Sequence, residues 1–181
     1  MSEQLELLEE VGGRLDAAGF VYMLSGSVAL NFYALPRMTR DIDLVIDLGL
    51  ADLARFLALF PPERWYRDEA TVREAVRRRD MFNLIELPRA MKLDFMVRKD
   101  TEYRRTELAR RRRVPLGAGA VWVAAPEDLA LSKLAWARES RSPQQLADVR
   151  GLLAAAPLDG EYLRRWAPEL GVTELLREVS A

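Results

Sequence analysis

Apolar residues recur at helical spacing at the start of the chain. Leu5, Leu8, Val11 and Leu15 form one stripe, which predicts an amphipathic helix over Ser2–Ala18. Gly12-Gly13 weakens that helix and Gly19 is positioned to end it. Val21-Tyr22-Met23-Leu24 is a short β-prone run broken by Gly26-Ser27. An apolar helical segment, Val28–Ala34, follows, and Pro36 closes it. From Asp41 to Asp47 the pattern alternates with period two, placing Ile42, Leu44 and Ile46 on one face of a strand and Asp41 and Asp43 on the other. Leu50–Phe60 returns to helical period and stops at Pro61-Pro62, and Glu69–Arg79 is helical or irregular. Met81–Leu87 and Met91–Arg98 read as a hairpin around Pro88-Arg89-Ala90, and Thr101–Arg113 as a basic helix. Val114–Leu116 and Val121–Val123, joined by Gly117-Ala118-Gly119, suggest a further pair of short strands. From Ala125 onward four helical stretches follow: Pro126–Arg138, Ser142–Ala155, Glu161–Trp166 and Thr173–Val179.

A strand, helix, strand order needs a crossover and implies a mixed or parallel sheet. The predicted fold class is therefore α/β (α+β): a mixed sheet with flanking helices and a C-terminal helical cap. The expected division is an α/β core over 1–124 and a helical region over 125–181.

Two strand carboxylates on one face repel each other and raise each other's pKa unless a cation lies between them. All-oxygen ligation of this kind suits Mg2+ or Mn2+. Gly26-Ser27 adds backbone N–H groups at a helix start, where a phosphate binds well. A Gly-Ser turn or an Asp-x-Asp strand alone is a common surface feature. The two together, with Ser27 and Asp41 fourteen positions apart, point to a polyphosphate cradle beside a metal-binding pair. Asp94 lies in an otherwise apolar strand, on one face with Lys92 and Met96, and an unpaired carboxylate there would cost several kcal/mol. Its partner is Lys92, an arginine, or a metal shared with Asp41 and Asp43.

At 181 residues the chain is long enough for a single domain, or a domain with a small appendage. It has no histidine and no cysteine, which excludes Ser-His-Asp and Cys-His nucleophiles, histidine zinc sites and disulfides. The absence of thiols fits a reducing cytoplasm. The acidic start does not read as a signal peptide, and no apolar run is long enough for a membrane span. A net charge of −1 argues against broad electrostatic attraction to nucleic acid, although the arginine runs 77–79 and 110–113 are candidate local contacts for RNA phosphates.

Gly26-Ser27 followed by Arg37-Met38-Thr39-Arg40-Asp41-Ile42-Asp43 resembles the opening motif of the DNA-polymerase-β-like nucleotidyltransferases, in the form found in the AbiEii-type abortive-infection group. Lys92-Leu93-Asp94 is similar to the position of that superfamily's third carboxylate. Pro126-Glu127-Asp128-Leu129 through Lys133-Leu134, followed by Gln145-Leu146-Ala147-Asp148-Val149, resembles the group's later motifs. The resemblance implies a nucleotidyltransferase-type sheet and metal-dependent transfer of a nucleoside monophosphate from an NTP to a hydroxyl. It implies Asp41, Asp43 and Asp94 as metal ligands, with Asp94 also as general base. It implies Gly26 and Ser27 on the β- and γ-phosphates, Lys133 together with Arg37 or Arg40 on transition-state charge, and Asp148 in support of Lys133. The acceptor it implies is an RNA such as a tRNA 3′ end, or a protein, with an antitoxin as partner. The alternative is a non-catalytic nucleotide-binding or regulatory module on the same fold.

Overall fold

The computed structural model describes residues 2–155 and 157–180. Nine helices and seven strands are found among them. The first helix, α1 (Glu3–Ala17), begins where the Ser2 side chain accepts from the Leu5 amide. It buries Leu7, Leu8, Val11 and Leu15. Strand β1 (Tyr22–Ser25) runs into the short helix α2 (Gly26–Leu30). That helix is shorter than expected: residues 31–34 form turns, and the Asn31 side chain holds both the amide and the carbonyl of Arg37. Then come β2 (Ile42–Ile46), α3 (Leu53–Ala58), β3 (Trp65–Tyr66), α4 (Glu69–Arg78), β4 (Met81–Glu86) and β5 (Met91–Val97). Helix α5 (Glu102–Ala109) precedes the hairpin β6 (Arg112–Leu116) and β7 (Gly119–Val123). The chain ends with α6 (Pro126–Ser140), α7 (Pro143–Ala155), α8 (Gly160–Trp166) and α9 (Thr173–Ser180).

Two further elements differ from expectation. The basic helix stops at Ala109, so Arg112 and Arg113 belong to a strand, paired with Val123 and Trp122. Arginine is a good helix former, which hides a strand start in composition. Strand β3 is a two-residue edge against Glu86 and Ile85, too short to show any alternation.

All strands join one sheet in the order β3-β4-β5-β2-β1-β7-β6. Its centre is mixed: β2 is parallel to β5 and antiparallel to β1, and β1 is parallel to β7. One face, built by Tyr22, Leu24, Ile42, Leu44, Ile46, Leu93 and Phe95, is covered by α1 and α3. Phe56 of α3 is its hub, with ring centroids 5.8 Å from Phe20, 5.0 Å from Phe60, 5.7 Å from Phe82 and 5.3 Å from Phe95. Aromatic pairs of this kind, edge-on with Phe20, Phe82 and Phe95 and tilted with Phe60, are each worth about 0.5–1.5 kcal/mol beyond the area they bury. The opposite face of β2 and β5 lies under α6 and α5, and this is the face that carries charge. No helix among the described residues is long and apolar enough to cross a membrane.

Candidate active site

The parallel register of β2 and β5 sets Asp43 directly beside Asp94 on one face. Asp41 immediately precedes β2 and is half-exposed. Lys92 bridges two of the acids, its Nζ lying 2.8 Å from Asp94 Oδ2 and 3.7 Å from Asp41 Oδ2. This answers the question left open at Asp94: its protein partner is Lys92. The other oxygen, Asp94 Oδ1, is buried and has no hydrogen-bond partner. Burial first, then the charges of Asp94 and Asp41, pushes the Asp43 carboxyl above the usual carboxylate range, against the pull of Lys133 and Lys92. The hydrogen bond to Asp94 raises Lys92, against a smaller effect of burial. No three acidic side chains among the described residues stand close enough to form a metal-binding group as they are.

The Gly26 turn folds directly onto Asp43. Gly26 has φ +62°, and a Cβ there would lie 1.9 Å from Asp43 Oδ2. Glycine is required at this position both for its backbone conformation and for the space. Ser27, the next residue, is nearly buried, and its Oγ accepts from an Arg37 Nη. The same guanidinium grips Asp148 across 111 residues of chain, with Nε 3.1 Å from Oδ1 and Nη2 3.1 Å from Oδ2.

Lys133, on α6, completes the group. Its Nζ is 2.7 Å from Asp148 Oδ2 and 3.2 Å from Gln145 Oε1. Gln144 donates to Asp148 Oδ1 at 3.1 Å. The buried pair titrates asymmetrically. Burial dominates at Lys133 and lowers its pKa despite the hydrogen bond it donates to Asp148. Burial works the other way at Asp148, but the hydrogen bonds from Arg37 and Lys133 outweigh it and hold that carboxyl low. A cavity of ≈ 210 Å³ opens where Gly26, Ser27, Asp43, Lys133 and Gln145 meet.

A family model described as nucleotidyl transferase AbiEii toxin, type IV TA system, matches residues 16–173. The chain belongs to the AbiEii nucleotidyltransferase family. No curated protein sequence matches it. Among solved structures, the antibiotic-resistance factor ANT(2'')-Ia aligns at 14% identity and TM-score 0.59, over 97% of this chain and 95% of that one. The lincosamide adenylyltransferase LnuA, lincomycin-bound, aligns at 9% identity and TM-score 0.57, over 86% of this chain and 99% of that one. An antigenic nucleotidyltransferase-like protein from Paracoccidioides brasiliensis aligns at 16% identity and TM-score 0.56, over 98% and 92%. At these identities the likeness is one of fold, and the mixed sheet with its flanking helices is the nucleotidyltransferase fold.

The remaining candidates of this AbiEii-family chain are placed as follows. Arg40 is exposed and makes no hydrogen bond or ion pair among the described residues, so it is not drawn into the group around Ser27 and Asp148. The two arginine runs are largely neutralised from within. Arg77 and Arg78 pair with Glu74, Arg110 with Asp128 and Glu127, Arg112 with Glu127 and Arg113 with Asp16. Arg111 lies over the Trp122 ring at 4.4 Å. Arg79 differs from its neighbours: it caps α4 in the left-handed conformation and lines a second, larger cavity. Sequence reasoning also passed over Asn31 and Gln144, which hold Arg37 and Asp148 in place.

Proposed function

We propose that this chain transfers a nucleoside monophosphate from an NTP to a hydroxyl acceptor, an RNA end or a protein side chain. We propose further that it acts in the cytoplasm as the toxin of a toxin–antitoxin pair, with a cognate antitoxin as partner. The observation that carries the reading is the Asp43–Asp94 register pair facing a glycine-serine turn and a buried lysine. On this reading the α/β part, 1–124, supplies the acids and the turn, and the helical part, 125–181, supplies Lys133 and Asp148.

Asp41, Asp43 and Asp94 would hold Mg2+ or Mn2+. Their donor chemistry suits such an ion, since every donor is an oxygen and Asp94 Oδ1 is buried without a partner, and burial followed by the charges of Asp94 and Asp41 disfavours a bare carboxylate at Asp43; as they stand, the three acids do not yet converge on one point. When bound, a divalent ion supplies charge neutralisation and polarises phosphoryl oxygens. The protein's own groups do the rest. The backbone at Gly26 and Ser27 binds the β- and γ-phosphates. Asp94 accepts the proton of the acceptor hydroxyl. The new bond joins that oxygen to the α-phosphorus, the bond from the α-phosphorus to the β-bridging oxygen breaks, and pyrophosphate leaves with the electron pair. Lys133 and Arg37 meet the charge that builds on the departing group. Asp148 keeps both cations aimed at that place before substrate arrives.

Incubation with α-labelled NTPs, Mg2+ and total RNA or protein tests this. The wild type is expected to label a macromolecule and release pyrophosphate, and Asp43→Ala to label none. Labelling that survives in Asp43→Ala removes the proposed role. A thermal shift with ATP and Mg2+, lost with EDTA but accompanied by no transfer to any acceptor, assigns the chain to the non-catalytic alternative.

A further inference from the structure

Lys92 stands among the acids, and the transfer chemistry gives it no task. Its Nζ lies 2.8 Å from Asp94 Oδ2 and 3.7 Å from Asp41 Oδ2, so one cation serves two carboxylates. A lysine is a rare choice in this chain. Of its 27 Lys and Arg residues only three are lysines, Lys92, Lys99 and Lys133. Elsewhere carboxylates are gripped by arginine forks: Arg37 on Asp148, Arg64 on Glu10 and Arg77 on Glu74 each use two nitrogens for two oxygens. A guanidinium locks a carboxylate in a fixed plane, whereas an ammonium is a compact point charge on a flexible stem. A point charge held on one side by a single hydrogen bond is a cation that another point charge can replace.

The surroundings suit such an exchange. The side chains of Lys92 and Asp41 are 39% and 50% exposed, so both can turn into solvent without opening the core. Asp94 is buried, and strand register fixes Asp43 beside it. Asp94 gives Oδ2 to Lys92 and keeps Oδ1 buried and unpartnered. With the ammonium in place, no three acids among the described residues form a metal-binding group. An ion pair with an exposed partner contributes little to stability, so its release costs little. Resting on the metal reading given above, we propose that Lys92 is an exchangeable counter-ion of Asp41 and Asp94. It neutralises them in the metal-free protein, and a divalent ion binds by displacing its ammonium into solvent. Lys92 thereby sets the divalent-ion concentration at which the site loads. It acts through the acids and is a positioning residue.

Mn2+ binding, followed by the electron paramagnetic resonance of the free ion, tests this without catalysis, on the protein alone and with a non-hydrolysable ATP analogue. Lys92→Met keeps the aliphatic stem and removes the charge. It should bind Mn2+ about threefold to tenfold more tightly than the wild type, the scale of one half-exposed ion pair that no longer has to be broken. In EDTA its melting temperature should fall below that of the wild type, and Mn2+ should raise it by more. Lys92→Arg keeps a cation and should bind Mn2+ no more tightly than the wild type. A second measurement needs no variant: acylation of lysine amines, read by mass spectrometry. Lys92 should react faster with Mn2+ than in EDTA, while Lys99, beyond the far end of β5, should not change. Mn2+ affinity in Lys92→Met equal to or weaker than wild type overturns the proposal, because Lys92 would then build the site. So does tighter binding in Lys92→Met with Lys92 acylation in the wild type unchanged or slowed by Mn2+, which would be repulsion through space without displacement. Should Lys92→Met fail to fold, the acylation rates and Lys92→Arg decide. No Mn2+ binding by the wild type or any variant, with or without the analogue, removes the metal reading and the exchange together; binding that leaves Lys92 unmoved removes the exchange alone.

Discussion

On one face of β2 and β5 stand Ile42, Leu44, Ile46, Leu93, Phe95 and Val97; on the other stand Asp43, Val45, Lys92, Asp94 and Met96. The same two strands supply both sets, alternating residue by residue. The first face is apolar and packed on the aromatic cluster of α3. The second presses carboxylates together, leaves one buried oxygen unpartnered and holds Asp43 above its ordinary pKa. The first face stabilises the fold through apolar burial; on the second, burial and the neighbouring acids penalise the charge on Asp43. On the proposed function, the charge on the second face belongs to catalysis rather than to stability.

The comparison breaks most visibly at Asp43. Asp43→Asn keeps the size of the side chain and removes one of the crowded charges. Transfer activity should fall by about 10²–10³-fold or more, the scale of deleting one preorganised electrostatic group. Stability at neutral pH should stay level or rise, because the lost carboxylate is penalised in the folded state. Steady-state transfer and a denaturant melt on one preparation check both halves. On the opposite face, Phe95→Ala should do the reverse. It removes a fully buried ring from the cluster and should cost about 3–5 kcal/mol in denaturant unfolding. Activity per folded molecule should survive at temperatures where the variant remains native. An Asp43→Asn variant as destabilised as Phe95→Ala would show that the two faces do the same job.

Gly26 ties the two effects together. Gly26→Ala puts a Cβ at a left-handed position, for about 1–2 kcal/mol, and sets it 1.9 Å from Asp43 Oδ2, where something must move. Both stability and transfer should fall. Asp43→Ala removes the two closest of the atoms that are struck, Oδ2 and Cγ, and leaves the Cβ at 2.8 Å. In the double variant the stability cost should then be smaller than the sum of the single costs, and that coupling is the measurement. Additive costs would mean that the Asp43 carboxylate is not what makes the added Cβ costly.

Much of the site was legible because it is local. Asp43 falls on the charged face of β2 by the two-residue period, with Asp41 just ahead of the strand, and Gly26-Ser27 falls where a strand meets a helix. Asp94 stood out as an acid inside an apolar run. What escaped depends on contacts that no spacing encodes. Arg37 reaches Asp148 across 111 residues, and only the folded chain shows its fork shared between that carboxylate and Ser27. The arginines at 110–113 read as a basic surface because Glu127 and Asp128, which neutralise Arg110 and Arg112, lie on a different element. Arg79 and Trp136 looked ordinary in sequence, an arginine in a run and a tryptophan near a lysine. The groove that joins them is formed by α6 lying over the sheet.

The smallest expected effect compares two carboxylates displaced in opposite directions. Asp43 has a raised folded-state pKa, so its contribution to stability is full below about pH 4 and is lost as pH rises through the raised value. Asp148 has a lowered one, so its contribution is full above about pH 4 and is lost as pH falls through the lowered value. Melting temperatures of wild type, Asp43→Asn and Asp148→Asn across acid to neutral pH should therefore diverge in opposite senses. Asp43→Asn should gain on the wild type as pH rises from about 4 to 7. Asp148→Asn should trail the wild type at neutral pH, because Arg37 and Lys133 lose their shared anion, and should close the gap as pH falls. Asp43 is coupled to Asp94 and Asp41, so its curve belongs to the group of acids rather than to one residue. Added Mg2+ sharpens the contrast: if the acids are a metal site, it should remove the wild-type penalty near neutral pH and leave the Asp148→Asn gap unchanged. Parallel pH curves for the three proteins would mean that the two carboxylates experience the same environment, and the division of the sheet into a stabilising and a functional face would fail at its weakest point.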